Sequence, residues 1–264
     1  MAKVIAITSG KGGVGKTTFC VNLGYALSKL NLKVLLIDGD IGLNNLDVVL
    51  GVENKIVYDI VDVIECKCRP RQALIEDFNN SNIFVLPSNH TYSSFEIQSF
   101  HLKRVIDELK DEFDYILIDC PAGIEDNFRR IAEVVNESII VTTPHISSVR
   151  DADKTISALK SCFVDDIKFV VNKVRGDLIV SGDMIKVETI VEYLNIPIVG
   201  VIPESDDIAC QLLVGGACTK GSDVYKIYKM IASNLENGTS EIFDCTKKYR
   251  GLFGEIRRNL KRIV

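Results

Sequence analysis

Short apolar runs recur along the chain, at residues 4–7, 34–37, 83–86, 115–118, 139–141, 169–171 and 198–202. They hold almost no polar residue. A strand with one wet face alternates apolar and polar positions, so unbroken runs point to strands covered on both sides. Between them, residues 17–30, 98–111, 148–161, 183–194, 206–213 and 222–235 bring apolar residues back every three or four positions and read as helices. Strands and helices in alternation predict a doubly wound α/β domain, a mostly parallel sheet with helices on both faces, spanning residues 1–235. Polar residues with Gly, Ser and Thr at 236–248 break the pattern and read as a linker. Residues 249–264 regain a helical period. The first residues resemble an opening strand and not a cleaved leader, and no apolar stretch reaches the roughly 18 residues of a membrane-crossing helix.

The first chemistry stands between the first run and the first helix. Gly10-Lys11-Gly12-Gly13-Val14-Gly15-Lys16-Thr17-Thr18 fits G-x-x-x-x-G-K-[ST] in the strand–loop–helix setting that this motif requires. Glycines let backbone N–H groups turn inward around phosphate oxygens, and the helix start adds partial positive charge. Lys16 is read as the cation for the β- and γ-phosphates and Thr17 as a Mg²⁺ ligand. A nucleoside triphosphate is the predicted ligand and its hydrolysis the predicted reaction.

Acids follow at the expected edge. The run 115–118 ends in Asp119, which puts a carboxylate where ligands bind in open α/β sheets and makes it a candidate for the Mg²⁺ shell. The run 34–37 ends in Asp38-Gly39-Asp40, and either acid could position an attacking water. Gly123, after Pro121-Ala122, could swing a backbone amide toward the γ-phosphate. Asn172-Lys173-Val174-Arg175 decides the base: a guanine reader of the N-K-x-D type needs a carboxylate where Arg175 stands, so adenine is preferred, with Asn172 as its contact.

Charge divides the chain. The net charge is −5, yet residues 247–264 hold seven basic residues against Glu255 alone, a local +6 that leaves −11 on the rest. An acidic body argues against general nucleic-acid binding, and no specific nucleic acid is expected as a partner. In the tail, Leu252, Phe253, Ile256 and Leu260 share one helical face, with Arg257, Arg258 and Lys261 mainly off it. Such a helix could pack on the body or lie in a membrane interface. The linker and the basic excess favour an anionic membrane surface, where each basic residue contributes about 1 kcal/mol. Gly251 and Gly254 weaken the helix, so a single copy should bind weakly and reversibly. The eight cysteines show no CxxC pair; Cys66 and Cys68 are the one close pair, and reduced, partly buried thiols are expected.

The loop GKGGVGKTT resembles the deviant Walker A sequence of the ParA/MinD ATPases, and the likeness continues through 38–47, 57–65, 116–125, 147–154, 200–204 and the tail. The resemblance implies an ATP-dependent homodimer in which Lys11 reaches the partner's nucleotide. It favours Asp40 for the water and Asp38 for the magnesium shell, and it places Pro203 on the adenine side. It further implies a division-site regulator that cycles between cytoplasm and the inner face of the membrane and recruits a MinC-type inhibitor of the FtsZ ring. In many bacteria a MinE-type activator acts on such proteins. Ser148, Arg150, Asp151 and Asp153 resemble the surface those partners use. Asn44 and His145 stand where an arginine and an acid would be expected. A flagellar-number regulator or a ParA-type DNA-partition ATPase of the same family is the alternative.

Overall fold

A computed structural model describes residues 1–42, 46–77, 80–88, 97–208, 222–251 and 254–255. The apolar runs form strands β1 (Lys3–Ser9), β2 (Val34–Asp38), β4 (Asn80–Leu86), β5 (Tyr115–Ala122), β6 (Glu137–Thr142), β7 (Asp166–Val174) and β8 (Ile198–Pro203). A short β3 (Ile75–Asp77) joins them. The sheet order is β3-β4-β2-β5-β1-β6-β7-β8, and every pairing is parallel except β3 with β4. The doubly wound sheet expected from the apolar runs is therefore present.

Helices cover both faces. On one side α1 (Lys16–Ser28), the short α2 (Leu46–Leu50) and α9 (Asp223–Asn237) pack over Ile5, Ile7, Leu36, Leu117 and Val141, with the rings of Phe19 and Tyr228 5.9 Å apart. On the other, α3 (Ile60–Ile64), α4 (Ser99–Leu109), α5 (Asp126–Ala132), α6 (Ile146–Ser161), α7 (Gly176–Ser181) and α8 (Val187–Leu194) cover Ala6, Leu35, Ile37, Ile118 and Val171. Adjacent strand residues thus feed opposite cores, which is why the runs carry no polar alternation. Each large apolar side chain so buried contributes roughly 1.5–3 kcal/mol. Among the described residues no helix is long and apolar enough to cross a membrane.

Several short elements were not legible as periodic stretches, α2 and α7 among them. β3 has three residues, two of them acids, and pairs antiparallel at the sheet edge. α3 is started by Asp59, whose carboxylate accepts from the N–H groups of Val61 and Asp62 at 2.7 and 3.0 Å. α5 has seven residues. The helix expected at 206–213 lies mostly outside the described residues.

α9 ends at Asn237, with Gly238 left-handed at φ 65°. Asn234 then ties the following segment down: its Nδ2 donates to Val199 O at 3.1 Å and Glu241 O at 2.8 Å, and its Oδ1 accepts from the Thr239 hydroxyl at 2.8 Å. Cys245 and Tyr249 are buried. Gly176 sits so close to Cys245 that a β-carbon there would stand 1.9 Å from the Cys245 carbonyl oxygen. The segment read as linker carries these contacts. Of the tail residues, Leu252, Phe253, Ile256, Arg257, Arg258, Leu260 and Lys261 lie outside the described residues.

Candidate functional site

The turn between β1 and α1 is built on left-handed glycines, Gly13 at φ 77° and Gly15 at φ 90°, a region that residues with a β-carbon rarely enter. Lys16 opens α1, so the loop's amides and the helix start converge on one place. That place is the carboxyl edge of the sheet at β1, where the chain changes direction: β5 and β6 flank β1, and the helix after β1 covers one face while those after β5 and β6 cover the other. Gly12 is exposed and Val14 buried; Thr17 and Thr18 are half-buried, and the Thr18 carbonyl accepts from Asn22 Nδ2 at 2.9 Å. Lys11 is exposed.

Strand register supplies the acids. Asp38 of β2 pairs in register with Asp119 of β5, so both carboxylates reach the same edge. Gly39 permits this approach: its N–H donates to Asp119 O at 2.9 Å, and a β-carbon would lie 2.9 Å from that oxygen. The Asp38 carboxylate accepts from the N–H of Asp40 at 3.0 Å and of Leu46 at 3.3 Å, which folds the loop carrying Asp40. Asp38 and Asp40 are both buried.

Lys16 Nζ donates to Asp119 Oδ1 at 2.7 Å in a nearly water-free setting. Burial works against the Lys16 charge, but the carboxylate more than offsets it, and the lysine holds its proton more tightly than a free one. Burial pushes Asp119 upward, opposed by Lys16 and by the nearby Thr17 hydroxyl. Asp119 Oδ2 is buried without a hydrogen bond of ordinary geometry among the described residues. Burial also raises Asp40, with Lys16 pulling the other way. Cys120 is fully buried and its thiol donates weakly to Ile118 O at 3.6 Å; burial pushes it well up, which suits an inert packing thiol.

The edge is closed by β7. Its register with β8 slips between Val171 and Val174, and this bulge turns Asn172 and Lys173 onto the glycine loop. Asn172 Nδ2 donates to Val14 O at 2.8 Å, its Oδ1 accepts from the Lys173 N–H at 2.9 Å, and Lys173 Nζ donates to Gly13 O at 2.8 Å. Lys173 is left-handed, φ 56°. Arg175 grips Asp177 with two hydrogen bonds of 2.9 and 2.6 Å. Pro203 stands in register with Val174, half-exposed at the end of β8. Lys173 was not singled out by sequence, since nothing in Val-Val-Asn-Lys-Val marks a bulge.

On α6, Arg150 and Asp153 are exposed and Asp151 is half-buried, paired with Lys154 at 3.2 Å. Ser148 is buried, and its hydroxyl oxygen accepts from the Thr142 hydroxyl and the Thr143 N–H, both at 3.3 Å. Of the four residues picked for a partner surface, two are thus exposed, one is half-buried and one faces in. Among the described residues no group of three His, Cys, Asp or Glu is arranged to hold a metal by itself.

The AAA domain family matches residues 2–166. A septum site-determining protein MinD of Synechocystis is 40% identical over 263 residues, covering 98% of this chain and 99% of the relative. The chain belongs to the MinD family. Among solved MinD structures, the MinC:MinD cell division protein complex of Aquifex aeolicus matches with a TM-score of 0.85 at 38% identity, over 92% of this chain and 98% of that one. MinD of Pyrococcus horikoshii, solved complexed with Mg-ADP, matches with a TM-score of 0.81 at 31% identity, over 89% of this chain and 96% of that one. The ParA/MinD resemblance read from the motifs is therefore borne out on its MinD side.

Proposed function

We propose that this MinD-family chain is an ATP-hydrolysing, membrane-cycling switch that regulates division-site placement. The observation that carries the reading is the pair of Lys16 and Asp119: a buried lysine held at 2.7 Å by one carboxylate oxygen while the other makes no hydrogen bond of ordinary geometry among the described residues, at the mouth of a glycine turn. A phosphate chain entering that turn gives Lys16 a second anion and draws it off Asp119. The residues also fit a hard cation, which takes oxygen donors. Thr17, Asp38 and Asp119 would hold Mg²⁺, and Asp119 Oδ2 is an unused donor of the right kind. When bound with ATP, the ion supplies charge that offsets the phosphates. The Pyrococcus relative solved with Mg-ADP supports this.

Each other residue has a task of its own. Gly10, Gly12, Gly13, Val14, Gly15, Thr17 and Thr18 wrap the phosphates with backbone amides and hydroxyls. Asn172 and Pro203 border the adenine. Asp40, on the loop folded by Asp38, orients the attacking water. Lys11, exposed on the loop, crosses to the nucleotide of a second copy. The ATP-bound homodimer then presents α6, with Arg150, Asp151, Asp153 and Ser148, to a MinC-type inhibitor and, where one exists, a MinE-type activator. The Aquifex MinD solved with MinC supports that partner.

Two tails on one dimer act jointly on an anionic lipid surface without any new contact, and hydrolysis returns the chain to the cytoplasm. Sedimentation with anionic liposomes tests this. The full chain should pellet with Mg-ATP and stay in solution with ADP. A chain ending at Arg250, which keeps the buried Cys245 and Tyr249, should stay in solution with both. Equal pelleting in ATP and ADP rejects the cycle, and failure to take up Mg-ATP rejects the switch itself.

A further inference from the structure

Every amide that a phosphate loop turns inward leaves a carbonyl pointing outward, and that carbonyl needs a donor. In this loop two such carbonyls, on Gly13 and Val14, accept from the consecutive side chains Lys173 and Asn172, both at 2.8 Å. The peptide carrying the Gly13 carbonyl also carries the Val14 N–H, and the peptide carrying the Val14 carbonyl carries the Gly15 N–H. Among the described residues neither of those N–H groups donates a hydrogen bond. A donor on a peptide's oxygen polarises its N–H and fixes the plane of the group.

We infer that Asn172 and Lys173 are positioning residues of the phosphate loop, aiming and strengthening the Val14 and Gly15 amides toward phosphate oxygens, so that the strand that borders the base also sets the phosphate grip. The inference rests on the nucleotide-switch reading above. Three features support it. The β7 bulge exists at just these residues. Lys173 holds a left-handed backbone, which lets its N–H reach Asn172 Oδ1 while its ammonium returns to Gly13. Gly15 is left-handed, which disfavours a side chain, and a β-carbon there would stand 2.5 Å from Asn172 Nδ2, so Asn172 takes the space a side chain would need. Asn172 thus has a task on the loop in addition to the one proposed for it at the base, whereas the Lys173 ammonium is held to the loop by its hydrogen bond to Gly13 O.

That difference gives the test. Dissociation constants for Mg-ATP and Mg-GTP are measured on the full chain by calorimetry, beside its melting temperature. Lys173→Met should weaken both nucleotides by the same factor, roughly fivefold for an exposed charged donor, leaving their ratio and the melting temperature as in the unaltered chain. Lys173→Arg should restore most of the affinity. Asn172→Ala should weaken both and also change the ratio. Unchanged affinity in Lys173→Met, or a changed ATP-to-GTP ratio in that variant, overturns the inference. If the unaltered chain binds neither nucleotide, the switch reading fails first and this one with it.

Discussion

Gly10 lies directly against Asp151: a β-carbon at Gly10 would stand 2.4 Å from the Asp151 carbonyl oxygen and 2.8 Å from its β-carbon. The first residue of the phosphate turn is thus in contact with the helix whose outer face is proposed to meet a partner. Backbone atoms fill the space, so no side chain can swing aside. Gly10→Ala should lose about 1–3 kcal/mol through overpacking. Gly12, which meets nothing within 4 Å and is not left-handed, is the internal control. Gly12→Ala should melt within about 0.5 kcal/mol of the unaltered chain. Thermal melts of both variants without nucleotide check this, and equal melting temperatures would refute the contact.

Lys16 and Asp119 predict a pH-dependent defect. Removing one partner of a buried ion pair costs about 3–5 kcal/mol. Asp119 is already pushed upward by burial, and Lys16→Ala removes the main group that opposes this. A carboxyl raised in the fold contributes most below its unfolded pKa and loses that contribution as pH rises through the folded value. The deficit of nucleotide-free Lys16→Ala should therefore grow as pH rises above the unfolded aspartate value of about 3.9. Adding Asp119→Asn should remove most of the growth. Denaturant melts at several pH values read this directly, and a deficit independent of pH would count against a buried pair.

Asp40 is needed as a carboxylate if it orients water. Burial raises its pKa, so the rate should fall with acidity through a value above the ordinary aspartate figure of about 3.9. Asp40→Asn should lower turnover about a hundredfold or more while Mg-ATP still binds. Steady-state ATPase assays across pH, with a parallel binding measurement, separate the two. Wild-type turnover in Asp40→Asn would remove the residue from the chemistry.

At the opposite end of the sheet the Tyr115 hydroxyl donates to Glu236, and Lys3 Nζ donates to both, at 3.1 Å to the tyrosine and 3.2 Å to the glutamate. The group ties the starts of β1 and β5 to the end of α9. The Tyr115 hydrogen bond, more than any other contact, holds Glu236 below the usual glutamate range. A lowered carboxyl stabilises the fold above its unfolded pKa and ceases to as pH falls through the folded one. Tyr115→Phe should cost about 1 kcal/mol at neutral pH, discounted for exposure, and the difference should fade below about pH 4. ATPase activity should be unaffected, because the phosphate loop lies at the other edge. Loss of activity without loss of stability would contradict this.

Much of the architecture was legible because burial on both faces writes itself as unbroken apolar runs, and seven strands follow from that rule. What escaped was short or set by tertiary contact. β3 is held by its neighbour and not by its own composition, and α5 is too brief to show a period. The acids of the site were legible because each ends an apolar run, as Asp38 and Asp119 do. Their pairing was not, since it depends on β2 and β5 lying in register. The glycine loop was read from its spacing alone. Lys173 was passed over because a bulge is a property of two strands, and Ser148 stood among the partner residues because the family resemblance covers residues 147–154 as a stretch and does not tell an outward hydroxyl from an inward one.

The contact of Gly176 with Cys245 fixes where the basic end of the chain departs. Residues 245–249 do not trail from the far end of α9. Cys245 and Tyr249 are buried beside the turn after β7, four positions from Asn172, whose side chain meets the glycine loop. If the tail holds a lipid surface as proposed, a change in that mooring would shift the point from which the body is held, even with every basic residue intact.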